Sequence, residues 1–168
     1  MESPLLRTTA SIDHDLVATT AEITGLCALA RARGARSLVL GSGRTLGALA
    51  SVAALTDEWE HHGGHIAGHV TWPETAASWL RQARRFSATP ADLRVMTGPA
   101  PGWAQMTRRL LWSTHWTAAT TLVLASVADP AALALVGTAH LNGLTGVDTD
   151  GATWTVIDDT KHPVAGAL

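Results

Sequence analysis

The sequence predicts an α/β protein built on a doubly wound, mostly parallel sheet of about five strands, with a β-hairpin near its C-terminal end. Short apolar runs alternate along the chain with segments in which apolar residues recur at helical spacing. Connections that contain a helix join parallel strands through right-handed crossovers. Because the strands are short and apolar throughout, we expect helices on both faces of the sheet.

The N-terminal half is predicted to hold two strands between three helices. The first helical segment is rich in Ala, Leu and Thr, with Ser11 or Asp13 as its N-cap and Gly34 after its end. The second helical segment stops at Gly63 and Gly64. The predicted elements are a helix over 12–32, a strand over 37–40, a helix over 45–62, a strand over 65–72 and a helix over 74–86.

The C-terminal half continues the alternation and ends in the hairpin. An Asp-Gly turn at residues 148–151 joins the two hairpin strands, because Asp-Gly favours the backbone geometry of tight hairpin turns. We expect the residues after 158 to form a loose tail. The predicted elements are a strand over 93–96, a helix over 102–112, a strand over 121–125, a helix over 130–136 and hairpin strands over 144–147 and 153–156.

Length and composition indicate one globular domain over residues 1–168, with a core over about 5–157 and a tail over 158–168. The chain is 46% hydrophobic and 15% charged, with a net charge of −2, which is typical of a folded domain. Neutralising several phosphates needs a basic surface that this balance does not supply, so we expect no nucleic-acid partner. The only cysteine, Cys27, lies in an apolar helical pattern and is predicted to be a core residue.

The sequence also predicts how the chain relates to membranes. No run of about 18 apolar residues occurs, so no membrane insertion is expected. The first seven residues lack the charged start and the apolar region of a signal peptide, which predicts a cytoplasmic protein. Removal of a signal from the sequence would instead make the protein extracytoplasmic.

Several short segments occur in the order in which a known family has them. They include the Arg-Thr-Thr-Ala-Ser run before the first helix and the Gly-Gly-His-Ile-Ala-Gly run at the second strand. The segments cover residues 7–11, 33–40, 46–47, 63–68, 91–98, 103–106 and 141–147. In this order they resemble one lobe, of the C-terminal type, of a type 1 periplasmic solute-binding protein, the branched-chain amino-acid class of ABC transporter receptor. The chain also resembles short actinobacterial proteins of the ABC substrate-binding kind.

The resemblance implies a non-enzymatic small-molecule-binding or sensing module without a cofactor. A full receptor closes two lobes on its ligand, whereas this chain has room for one, so a homodimer that reproduces the two-lobed arrangement is implied. The implied ligand is an amino acid or an anion. The chain departs from the family at Leu46, where a Tyr is common, and at Pro99 or Ala100, where an aromatic residue is common. Asp129 is the acidic residue nearest to the position that binds the ligand's ammonium group in the family.

The candidate ligand site lies at the turns that follow the strands, since ligands of open α/β sheets bind beyond the carboxyl ends of the strands. Residues 41–45 can hold an anion with backbone N–H groups and with the guanidinium of Arg44. The indole of Trp72 can form an aromatic wall, although packing in the core or in a dimer is the other interpretation. Glu74 is predicted either to contact the ligand or simply to begin its helix, where the helix dipole favours a negative charge. The predicted ligand-binding residues are Ser42, Gly43, Arg44, Thr45, Trp72, Glu74, Gly98, Trp103, Ser126 and Asp129.

Two other functions fit the same residues. One is a protein-interaction module with a degenerate ligand site, and the other is an enzyme that acts on a phosphosugar or a nucleotide through residues 41–45. No catalytic residue and no metal ligand is predicted, because no nucleophile or metal-binding motif occurs. The histidines at 61, 62, 65 and 69 are interpreted as helix-end and surface residues, and the arginine pairs at 84–85 and 108–109 as solvated helix faces.

Overall fold

A computed structural model describes residues 15–165, which form one seven-stranded sheet with helices on both faces. The strand order is β2-β1-β3-β4-β5-β6-β7, in which β1 to β5 are parallel and β6 and β7 are antiparallel. The doubly wound sheet and the β5–β6 hairpin are thus confirmed. The strands are β1 (Ser37–Gly43), β2 (His65–Trp72), β3 (Leu93–Thr97), β4 (Thr121–Val123), β5 (Thr145–Val147), β6 (Thr153–Ile157) and β7 (Thr160–Pro163).

In the described part of the chain, five α-helices bury the two faces of this sheet. Successive side chains of a strand point to opposite faces, so Leu38 and Leu40 pack with α1 and α2, whereas Val39 packs in the core that α3, α4 and α5 complete. Cys27 is fully buried in the α1 side of this arrangement, as predicted, and its burial raises the pKa of the thiol to about 11. The helices are α1 (Thr20–Ala32), α2 (Leu46–His61), α3 (Leu80–Ala88), α4 (Ala100–Ser113) and α5 (Pro130–Val136).

The start of α1 differs from the prediction. The predicted caps Ser11 and Asp13 lie outside the described residues, and residues 15–19 are not helical. Thr19 is the N-cap, because its hydroxyl accepts from the Glu22 N–H while its own N–H donates to Glu22 Oε2 at 2.7 Å. This reciprocal capping box fixes the start at Thr20 and leaves residues 15–19 as a segment that runs along the sheet edge.

The start of α3 also differs from the prediction, which placed it at Glu74. The indole N–H of Trp79 donates to the carbonyl of Pro73 at 3.0 Å and closes a loop between β2 and the helix. The carboxylate of Glu74 turns away from α3 and packs against Gly102 in the first turn of α4. The helix therefore begins only at Leu80.

The predicted loose tail after residue 158 is wrong, because residues 160–163 form β7. Asp158 and Asp159 both have positive φ, 47° and 63°, and make a tight turn that returns the chain along β6. Asp is one of the few residues besides glycine that adopts this backbone at low cost. The sheet consequently gains an antiparallel edge strand beyond the predicted hairpin.

Candidate functional site

The carboxyl ends of β1 and β3 meet at the point where the strand order reverses. A ligand crevice of an open α/β sheet is expected at this point. Here the two strand ends are in close contact: Gly98 has a φ of +125°, and a Cβ on it would come within 2.9 Å of the Gly43 nitrogen. The glycine pair lets the two backbones approach closely at the strand reversal.

The predicted glycine-rich turn at residues 41–45 is mostly strand. Gly41, Ser42 and Gly43 belong to β1 and pair with both β2 and β3. Their backbone groups lie within the sheet ladder, so the predicted anion turn is reduced to Arg44 and Thr45. The predicted strand ended at residue 40, before the observed end of β1 at Gly43, because the small residues 41–43 lack the apolar character that marked residues 37–40.

The first turn of α2 is occupied by a carboxylate of the protein itself. Asp15 Oδ2 accepts from the Gly47 N–H at 3.0 Å, and a Cβ at Gly47 would overlap this carboxylate. The pKa of Asp15 is lowered, first by a hydrogen bond from the Thr45 side chain and then by the backbone N–H of Gly47, with Ala48 adding less. Asp15 thus takes the place that the sequence assigned to a ligand anion.

A second carboxylate fills the space beside the first turn of α4. Both carboxylate oxygens of Glu74 are buried, and they lie so close to Gly43 and Gly102 that a Cβ on either glycine would overlap them. Pro99, the N-cap of α4, has no capping side chain of its own. Glu74 is therefore enclosed between β1 and α4, where the positive end of the helix dipole favours its charge.

A cavity of about 190 Å³ opens at the ends of β3 and β4, and we call it the edge pocket. Its polar wall holds Ser126, whose hydroxyl lies 3.2 Å from Thr97 Oγ1 and accepts from the Gly98 N–H at 3.3 Å. The rest of the wall is mostly apolar and includes Leu16, Val17 and Leu124. The pocket therefore suits a small molecule with an apolar part and a few polar atoms.

Residues 16–19 line the edge pocket, and contacts with α1, α2 and Thr149 hold this segment in place. Glu22, 3% exposed, accepts from the Ala125 N–H at 3.0 Å with one oxygen and from the Thr19 N–H with the other. The Thr19 hydroxyl donates to the Thr149 carbonyl at 2.6 Å. The Ala18 N–H donates to the Ser51 hydroxyl at 2.8 Å.

Of the predicted residues, the structure places Ser126 in the wall of the edge pocket and Gly98 behind it, where the Gly98 N–H donates to the Ser126 hydroxyl. It places other predicted residues elsewhere. Trp72 and Trp103 are completely buried in the core, which matches the packing interpretation of Trp72 and leaves neither ring facing solvent. Asp129 caps α5 by accepting from the Ala131 N–H at 2.8 Å. Ser42 is buried with its hydroxyl 2.8 Å from a ring nitrogen of His69.

The sequence prediction missed Thr97, Ser51 and Glu22 in the edge pocket. Thr97 is the last residue of β3 and immediately precedes Gly98, so the prediction missed this pocket residue by one position. Glu22 carried a signal, since Thr-x-x-Glu marks a capping box. Its second partner, Ala125, lies 103 positions along the chain, and no local pattern could have indicated that contact.

The described residues show neither a metal centre nor a membrane span. Between residues 15 and 165, no group of three His, Cys, Asp or Glu side chains converges in a way that could hold a metal ion. No helix in this part of the chain is long and apolar enough to cross a membrane.

Comparison with known proteins relates the chain to solute receptors. No protein-family model and no curated protein matches it. The substrate-binding periplasmic protein from Ralstonia solanacearum is similar, with a TM-score of 0.65 and 15% identity over 77% of this chain and 36% of that one. The extracellular ligand-binding receptor from Verminephrobacter eiseniae gives 0.63 and 22% over 80% and 38%. The leucine-binding protein LivK from Thermotoga maritima gives 0.62 and 15% over 74% and 35%.

The covered share of these receptors decides what the similarity shows. The chain spans 35–38% of the length of these three structures. At these identities the similarity concerns the fold, and it agrees with the resemblance drawn from the ordered sequence segments. The chain therefore has the fold of a single lobe of a periplasmic substrate-binding protein, of the kind found in branched-chain amino-acid ABC transporters.

Proposed function

We propose that this chain is a non-enzymatic module that binds a small molecule in the edge pocket. The observation that carries the proposal is the position of the pocket at the carboxyl ends of β3 and β4, in a chain with the fold of a receptor lobe. Ligands of open α/β sheets bind at this edge. The proposal gives Ser126 a direct role from the predicted set, adds Thr97, and leaves Gly98 to position the Ser126 hydroxyl.

The ligand class follows from the wall of the pocket. Leu16, Val17 and Leu124 offer an apolar surface, while Thr97 and Ser126 offer hydroxyls. An aliphatic amino acid combines these two characters. The names of two similar structures, a branched-chain amino-acid receptor and a leucine-binding protein, support the same class.

The pocket is too small to enclose a ligand alone, so the proposal includes a second wall. Complete small-molecule sites have volumes of about 300–1,000 Å³, whereas the edge pocket has about 190 Å³. Leu16, Val17, Leu46 and Leu49 leave exposed apolar surface at this edge. A second copy of the chain in a homodimer is the proposed cover, and the same surface supports the alternative of a protein-interaction module.

Two further observations bear on the enzyme alternative and on where the protein acts. The enzyme alternative needs a phosphate at the first turn of α2, and Asp15 lies there with its negative charge. Two similar structures are described as periplasmic, which supports an extracytoplasmic site of action over the cytoplasmic one expected from the first residues.

Isothermal titration calorimetry with leucine, isoleucine and valine tests the proposal. The expected result is binding that weakens about tenfold in the double variant Ser126→Ala/Thr97→Val, because two hydrogen bonds of about 0.5–1.5 kcal/mol are lost. The matched control is Ser113→Ala, at the far end of α4, which should bind as the wild type does. Light scattering on the same solutions separates a dimer from a monomer of 17.6 kDa. No heat with any of the three amino acids, or equal weakening by Ser113→Ala, would contradict the proposal.

A further inference from the structure

A second cavity lies at the outer edge of β2, and its wall is basic. It has a volume of about 230 Å³ and is lined by Arg44, His69, Thr71, Arg81 and Arg85, with Val70 and Gln82. We call it the arginine pocket. It shares no lining residue with the edge pocket, so it is a separate site on the lobe.

The three guanidinium groups of the arginine pocket have no acidic counterpart among residues 15–165. In this part of the chain the ion pairs join Glu58 to His62 and Asp148 to Lys161, and none of these four residues lines the pocket. α3 carries Arg81, Arg84 and Arg85 and no acidic residue. In a chain of net charge −2, this is a local excess of positive charge.

The donors of the pocket are directed together by the helix and the strands. Arg81 and Arg85 are four residues apart on α3 and therefore lie on the same face of the helix, where two like charges repel. Arg44 donates from Nε to Thr71 Oγ1 at 3.3 Å, which holds its guanidinium over β2. In the first turn of α3 only a neutral hydroxyl, Ser78 Oγ, accepts from the Leu80 N–H at 3.2 Å, and no acidic residue offsets the positive end of the helix.

Two neutral side chains give the pocket a polar rim besides its cations. His69 has one ring nitrogen 2.8 Å from the Ser42 hydroxyl, and burial lowers its pKa, which favours the neutral ring. The buried Oε1 of Gln82 receives no hydrogen bond from the described residues. A ligand with a hydroxyl group can donate to this oxygen.

We propose that the arginine pocket binds the phosphate group of a small phosphomonoester. Arginine forks match the oxygens of phosphate in bidentate geometry, and a dianion relieves the repulsion between Arg81 and Arg85. The hydroxyl part of the ligand contacts Gln82. This inference does not rest on the proposed function, since the ligand class and the residues of the two sites differ.

Titration calorimetry with glycerol 3-phosphate and with inorganic phosphate, at low ionic strength, tests the site. Arg81→Gln and Arg85→Gln should each weaken glycerol 3-phosphate binding about tenfold or more. Arg84→Gln removes the same charge from the same helix outside the pocket and should change the affinity less than about twofold. Arg81→Lys keeps the charge without the planar fork and should fall between the two.

The outcomes separate a built site from general attraction to a basic helix. Similar binding of inorganic phosphate and glycerol 3-phosphate supports the site and identifies the free anion as sufficient, whereas tighter glycerol 3-phosphate binding supports it with a role for Gln82. Absence of binding by both probes, or equal weakening by Arg84→Gln and Arg85→Gln, overturns the inference. The three arginines of α3 are exposed, and unchanged circular dichroism of the variants shows that the fold is retained.

Discussion

The first turns of α2 and α3 lie at the same edge of the sheet and have opposite surroundings. At α2, the carboxylate of Asp15 accepts from the Gly47 N–H, so the positive end of the helix is already neutralised. At α3, the acceptor is the neutral hydroxyl of Ser78, no acidic residue lies in the first turn, and Arg81 and Arg85 add positive charge. The comparison teaches that an anion site is recognised by what the chain leaves unneutralised, not by a helix start after a strand.

The same contrast separates the two cavities. The edge pocket lies beside Glu22 and Asp15, whose carboxylates bind backbone N–H groups of the protein itself. The arginine pocket has no carboxylate in its wall. One edge of the lobe therefore offers an apolar site beside internal acids and a basic site that lacks a counter-ion, and the following changes test how firmly the two differ.

Glu22→Ala should have the largest effect, a loss of about 3 kcal/mol in the free energy of unfolding. The change leaves the N–H groups of Ala125 and Thr19 without their carboxylate acceptor, and each such loss costs about 1–3 kcal/mol. Urea unfolding followed by tryptophan fluorescence measures the difference. Glu60→Ala, at an exposed position of α2, is the matched control and should stay within about 0.5 kcal/mol of the wild type. Equal effects of the two changes would mean that Glu22 does not hold the segment 15–19.

Asp15→Ala should lower the free energy of unfolding by about 1 kcal/mol, as loss of a helix cap does. Because the folded pKa of Asp15 lies below its ordinary value of 3.8, its contribution is complete above that value and disappears as the pH falls through the folded pKa. Unfolding midpoints of both proteins from neutral to acidic pH should therefore converge only in acid.

The Asp15→Ala variant also tests the contrast between the first turns of α2 and α3. With its carboxylate gone, the Gly47 N–H loses its acceptor while Thr45 still accepts from the Ala48 N–H. Added phosphate at the vacated position should raise the thermal midpoint of the variant more than that of the wild type. Asp57→Ala, which alters an exposed acid later in α2, supplies the control. An equal response of all three proteins to phosphate would show that Asp15 does not occupy an anion position.

Arg81→Glu should have the smallest effect on stability and the opposite sign. The change replaces a repulsive pair by a Glu and an Arg at i and i+4 in the first turns of α3, which should stabilise the protein by about 0.5 kcal/mol while abolishing phosphate binding. Thermal unfolding without phosphate measures the gain. A loss of stability would show that Arg81 has a structural contact, and the basic wall would then need no ligand to explain it.

The fold could be predicted from local patterns because its signals are local. Strand β2 begins and ends where predicted, since His65 follows a glycine pair and Pro73 follows Trp72. The start of α1 and the strand β7 were missed for different reasons. Several Ser, Thr and Asp residues precede α1 and compete as caps, and the pair Asp158 and Asp159 is a weaker turn signal than Asp-Gly.

The site could be predicted only in part, because its contacts join distant positions. Ser126, which lines the edge pocket, was among the predicted residues because it follows a strand. Asp15 lies 32 positions before Gly47. Arg44 and Arg81 line one pocket only because β1 pairs with β2. A sequence shows which residues follow a strand, but it does not show which charged side chain from a distant position occupies the space beyond that strand.

The burial of Cys27 makes the rate of thiol labelling a measure of how often α1 opens. Its thiol is the only one in the chain, and it is fully covered by the packing of α1 on the sheet, with a pKa raised to about 11. A thiol reagent can reach it only when α1 separates from the sheet, so the labelling rate reports how often that helix opens. Because α1 also carries Glu22, the same rate reports how long the wall of the edge pocket stays in place.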